Sequence, residues 1–79
     1  MNLPVMTGPQ LPAVLRLPAA ATISSGRLMA ITGWSRQRLH NYRERHGFPR
    51  AELIDGASKM WTRTVAAWFA QNGTIVEWL

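Results

Sequence analysis

Gly33-Trp34-Ser35-Arg36-Gln37-Arg38-Leu39-His40-Asn41-Tyr42-Arg43-Glu44-Arg45-His46-Gly47-Phe48-Pro49 is the stretch on which the fold turns. Serine is a favoured helix N-cap, because its side-chain oxygen accepts a hydrogen bond from a backbone N–H that the start of a helix leaves unpaired. Ser35 therefore predicts a helix opening at Arg36, with Trp34 packing on Leu39 as a hydrophobic staple that sets the angle of approach. The helix runs to about Arg45 or His46 and stops before Gly47, Phe48 and Pro49, where glycine ends it and proline forbids continuation. At about 100° per residue, Leu39, Tyr42 and His46 fall on one side, and Gln37, His40, Asn41 and Glu44 fall on the other. Arg36, Arg38, Arg43 and Arg45 line the flanks.

Upstream, Ser24 and Ser25 are N-cap types followed by Leu28, Met29 and Ile31, then Thr32 and Gly33. This is a short helix closed by a glycine that tolerates positive φ, and the turn to the next helix follows at once. Downstream, Leu53 and Ile54, the turn signal Asp55-Gly56, and Met60-Trp61 suit a short hairpin. Thr62 or Thr64 then caps a third helix, where Val65, Trp68, Phe69 and Asn72 recur at helical spacing and Gly73 stops it. Trp61, Trp68 and Phe69 are expected in the core. Four tryptophans in so short a chain suggest a ligand box, but at this spacing packing is the better account. The expected fold is mainly α with a small β-hairpin, a winged helix-turn-helix, over residues 22–72.

Two flanking segments stand outside that domain. Residues 1–21 hold four of the five prolines and a single charged side chain, Arg16, so the reading is a Pro-rich arm through which no helix or central strand runs far. Its Val14, Leu15 and Leu17 either lie extended across the domain or a partner, or belong to a disordered leader. Residues 73–79 form an apolar tail whose Ile75, Val76, Trp78 and Leu79 either fold back on the core or mark an interface.

The chain has 79 residues, 47% of them hydrophobic and 16% charged, which suits one globular domain. With no cysteine it has neither disulfides nor a thiolate metal cage, which fits a reducing compartment. No apolar run approaches the roughly 20 residues of a spanning helix, and the N-terminal stretch lacks the basic and apolar regions of a signal peptide. The expectation is a soluble, cytoplasmic protein with no membrane contact. Catalysis is not expected: the two histidines, His40 and His46, have no orienting carboxylate except Glu44, and no hydroxyl or thiol is set beside a base. His40, His46, Glu44 and Asp55 make no metal-ligand set, no Gly-rich phosphate loop is present, and no cofactor is implied.

Charge points to a partner. Nine Lys and Arg face four Asp and Glu, for a net charge of +5, and all the basic residues but Lys59 are arginine. Eight of these positive charges lie between Arg27 and Arg63, against only Glu44, Glu52 and Asp55. The whole net charge therefore sits in that segment. Arg forks match phosphates and guanine edges, and a helix face of Gln, His, Asn and Arg offers groups that read bases. Arg36, Gln37, His40 and Asn41 are expected to face base edges of double-stranded DNA. Arg38, Arg43, Arg45, Arg50 and Lys59 are expected on phosphates.

Gly33-Trp34-Ser35, then Leu39 and Tyr42, then Gly47-Phe48-Pro49, then Trp61 with Val65 and Trp68, resembles the small winged-helix DNA-binding proteins of the phage excisionase and AlpA type, related to the MerR-like fold. In such families a G-x-S turn leads into the recognition helix, a G-F-P segment ends it, and a tryptophan after the wing starts the last helix. The resemblance implies a phage or mobile-element transcription regulator, or an excisionase that bends an attachment site and directs a recombinase partner towards excision. A phage terminase small subunit's DNA-recognition domain is a further possibility. A different class is a protein-protein adaptor that uses the helices as scaffold and the tail as contact. A lone module of this kind buries only about 600–1,000 Å² on DNA, so a homodimer or cooperative array is expected, with Leu15, Leu17, Trp78 and Leu79 as the contacts between subunits.

Overall fold

The computed structural model describes residues 11–79, and within them the helices begin and end largely where capping chemistry puts them. Helix α1 spans Ser25–Thr32, and the Ser24 Oγ accepts a hydrogen bond from the Arg27 N–H at 3.1 Å. It closes on Gly33 at φ +76°, whose N–H donates to the Met29 carbonyl at 2.8 Å; a side chain there would strain the backbone. Helix α2 spans Arg36–Arg45, with the Ser35 Oγ accepting from the Arg38 N–H at 3.1 Å. The N–H groups of His46 and Phe48 both donate to the Tyr42 carbonyl, which turns the chain off the helix through Gly47.

Helix α3 spans Thr62–Gln71 and departs from expectation at its start. Neither Thr62 nor Thr64 caps it. Strand β4, Ala57–Trp61, runs into the helix without a linker, so Trp61 takes the N-cap position, where it makes no side-chain cap bond. Thr62 becomes the first helical residue; its N–H donates to the Ala21 carbonyl at 3.0 Å, while its buried hydroxyl has no hydrogen-bond partner among the described residues.

The remaining strands are β1 Val14–Leu17, β2 Thr22–Ile23, β3 Glu52–Ile54 and β5 Ile75–Trp78. One sheet has the antiparallel order β2-β4-β3. Its hairpin closes between Ile54 and Ala57 through Asp55 at φ +49° and Gly56 at φ +79°, the double positive φ of a tight primed turn. The other sheet pairs β1 with β5 in parallel, Val14 opposite Ile75 through Leu17 opposite Trp78. This second sheet overturns the expectation of a mainly α winged helix-turn-helix with one hairpin. The chain is a small α/β fold of three helices and five strands in two sheets, about 41% helix and 26% strand over the described residues.

The arm and the tail are thus partners of each other. Leu15 and Leu17 point inward and are buried, Leu17 completely, while Arg16 points outward and its Nε meets Glu77 Oε1 at 3.1 Å. The Thr74 hydroxyl donates to the Pro12 carbonyl at 2.8 Å, which ties the end of α3 to the start of β1. Leu15 and Leu17, expected at a subunit contact, are consumed by the chain's own core. Residues 1–10 of the expected arm lie outside the described residues.

The core centres on Trp34. Its ring meets Tyr42 edge-on at 4.6 Å and Phe48 at 5.4 Å, and it also lies 5.4 Å from Phe69 and 6.5 Å from Trp68. Leu39, the residue paired with Trp34 in the staple, is buried in the same cluster. The Trp68 indole N–H, which burial would otherwise leave unpaired, donates to the His46 carbonyl at 2.9 Å. Trp61, expected in this core, is instead 42% exposed: β4 alternates, so buried Met60 puts its neighbour on the other face.

Candidate nucleic-acid interface

Burial of Leu39 and Tyr42 fixes the rotation of α2, and the opposite arc then follows from helical geometry. Arg36, Gln37 and His40 are exposed there and line one shallow depression. Asn41 is half buried beside them, its Oδ1 accepting a hydrogen bond from Gln37 Nε2 at 3.2 Å. The four residues expected to face bases are therefore brought together on one face. No acid lies in the first turn of α2, so nothing there opposes the partial positive charge of its N-terminus.

The one carboxylate on this helix is neutralised locally. Glu44 Oε1 lies 2.9 Å from an Arg50 guanidinium nitrogen, and that hydrogen bond, with the Arg50 charge, holds the carboxyl below its usual pKa. Arg38 and Arg45 are exposed on the flanks, as a phosphate role requires. Arg50 is exposed but engaged with Glu44, and Lys59 is half buried on β4 opposite Glu52 of β3.

Arg43, expected on a phosphate, is instead partly buried and engaged within the fold. Its Nε donates to the Pro49 carbonyl at 3.0 Å, and an Nη donates to Ser25 Oγ at 3.1 Å and to Met60 Sδ at 3.2 Å. Partial burial, and then the charge of Arg50, lowers the guanidinium's pKa from its ordinary value. Arg43 clasps α2 to α1, to β4 and to the segment after α2, a role that no local pattern reveals, because the three acceptors come from separate elements. Hydrogen bonds to a charged group contribute about 1.5–3 kcal/mol. Arg43→Ala should therefore lower the thermal midpoint, at about 4–8 °C per kcal/mol for a domain of this size. A melt indistinguishable from the parent's would show that the clasp contributes nothing.

Elsewhere on the surface, Trp61 and Trp78 line a groove with residues 19–21, Thr62 and Arg63. Trp78 is 52% exposed and Leu79 70%, so the tail folds back far enough to pair with β1 yet leaves both side chains largely open.

No known protein family, curated protein or solved structure matches the chain. Among the described residues no helix is long and apolar enough to cross a membrane. Nor do three or more His, Asp or Glu side chains among them gather as metal ligands.

Proposed function

We propose that this protein binds duplex DNA sequence-specifically, laying α2 in the major groove, and that it acts as a regulator of transcription or as a recombination directionality factor. The observation that carries this reading is the outward face of α2. Arg36, Gln37 and His40 are solvent-exposed side by side with Asn41 next to them, on a helix whose single acid is tied to Arg50. Gln and Asn pair bidentately with adenine, and Arg with guanine. A face kept only for solubility has no need of that set. The whole net charge of +5 lies in the segment that contains α2, which supports a phosphate-rich partner. The motif order from Gly33 to Trp68, with its resemblance to excisionase and AlpA-type proteins, supports the same reading.

Selection from random duplexes, followed by titration at several salt concentrations, tests it. Arg38→Ala and Arg45→Ala should each weaken binding to all sequences alike and lower the salt slope by about 0.9. Asn41→Ala should relax preference at one base pair, costing about 1–3 kcal/mol on the selected site. Binding that ignores salt, or a selection that returns no consensus, would overturn the proposal. The adaptor reading is favoured by a different observation, the exposure of Ile75, Trp78 and Leu79; an adaptor shows no salt-dependent DNA binding at all.

A further inference from the structure

In the parallel ladder, the Ile75 N–H donates to the Ala13 carbonyl at 2.9 Å and the Leu79 N–H to the Leu17 carbonyl at 2.9 Å. This register commits the backbone of every second residue, Ile75, Glu77 and Leu79, to β1. Val76 and Trp78 turn their N–H and C=O groups the opposite way, and among the described residues no further strand joins the two-stranded sheet. The outer edge of β5 is thus open.

The other strand edges are guarded, and this one is not. The outer side of β1 is bracketed by Pro12 and Pro18 and lies beside Ile31 and Thr32 at the end of α1. Strand β2 has two residues, and β3 carries Glu52 and follows Pro49 and Arg50. Strand β5 has no proline and no lysine, and its single charge, Glu77, is bound to Arg16 on the neighbouring strand. Ile75, Trp78 and Leu79 are exposed along it. Arg16 and Glu77 form an ion pair, so this edge carries no net charge in a chain of net charge +5, and the Glu77 carboxylate comes to any contact already paired.

We infer that two copies of this chain associate through β5, edge to edge and antiparallel about a twofold axis. The register that satisfies the open groups sets Val76 of each copy against Trp78 of the other, with the axis passing Glu77. The two short sheets then become one sheet of order β1-β5-β5-β1. This rests on the DNA-binding reading only in its consequence for the target: the two α2 helices would meet an inverted repeat.

Sedimentation of the full chain without DNA tests the association directly. The parent should be dimeric at sub-millimolar concentration. Val76→Pro removes an N–H that β1 does not use and trims a partly buried side chain packed on the core, so it should weaken dimerisation by about tenfold or more while the helical circular dichroism persists. Ile75→Lys, at a position exposed in the single chain, should do the same and keeps the test decisive if the proline variant misfolds. Hydrogen exchange should show the Val76 and Trp78 amides protected in proportion to concentration. A parent chain that stays monomeric, or exchange at those amides that ignores concentration, overturns the inference. On a selected duplex the two readings separate: salt-dependent binding by a chain that never dimerises leaves the DNA reading and removes this one, whereas a dimer without DNA binding does the reverse.

Discussion

Trp34→Ala should leave the chain largely unfolded at 25 °C. Trp34 sits in the turn between α1 and α2, is 5% exposed, and has its ring among those of Tyr42, Phe48, Trp68 and Phe69. Truncating a buried aromatic to alanine costs about 3–5 kcal/mol, through lost transfer free energy and the cavity left behind. A core of this size supplies about 3–5 kcal/mol net, so one substitution removes about all of it. The relaxation that softens such losses in larger proteins is blocked here, because the facing rings belong to α2, to the segment after it and to α3, and cannot all move in. Near-ultraviolet circular dichroism and urea titration read the result. Trp61→Ala is the internal control: the ring is 42% exposed, and its loss should shift stability far less. A cooperative Trp34→Ala transition near the parent's midpoint would mean that Trp34 is not the centre of the core.

The contrast between these two tryptophans shows what was legible in the sequence. Features set by neighbours along the chain could be read: Ser24 and Ser35 as caps, Gly33 as the left-handed close of α1, Asp55-Gly56 as the hairpin turn, and the buried side of α2 from Leu39 and Tyr42. Features set by residues far apart could not. Arg43 looks like any flanking arginine until Ser25, Pro49 and Met60 converge on it. Trp61 is expected in the core with Trp68 and Phe69, yet it ends β4, where alternation with Met60 turns it outward. Thr62 and Thr64 are cap-type residues by local chemistry, yet strand runs straight into helix and Trp61 takes the cap position.

The second sheet was hidden for a related reason. Proline forbids a ladder bond only at its own position, and between Pro12 and Pro18 the chain has a free run in which Val14 and Arg16 alternate with Leu15 and Leu17, the period of a half-buried strand. Its partner lies at the other end of the chain, so no turn signal joins them. One trace was present: the arm and the tail each carry a single charged side chain, Arg16 and Glu77, and these have opposite signs and pair.

That pairing sets up a test with an effect as large as that of Trp34. A fragment of residues 22–72, the domain whose boundaries the local signals suggest, should fail to fold cooperatively although it keeps all three helices and the hairpin. It lacks Leu15 and Leu17, both core residues, and loss of a buried leucine side chain costs about 2–5 kcal/mol. Two such losses exceed the roughly 3–5 kcal/mol that the core supplies. The fragment also loses Thr74, whose N–H donates to the Phe69 carbonyl and whose hydroxyl holds Pro12, so the end of α3 is released at the same time. Entropy acts in the same direction: the β1-β5 ladder joins segments at opposite ends of the described chain, so its closure cost must be offset by the core contacts that Leu15 and Leu17 make. Circular dichroism melts of the fragment and of the full chain, side by side, measure this. A sigmoidal fragment melt near the full chain's midpoint would show that the parallel ladder decorates a self-sufficient domain; a shallow, non-cooperative one would show that the two ends of the chain complete its core.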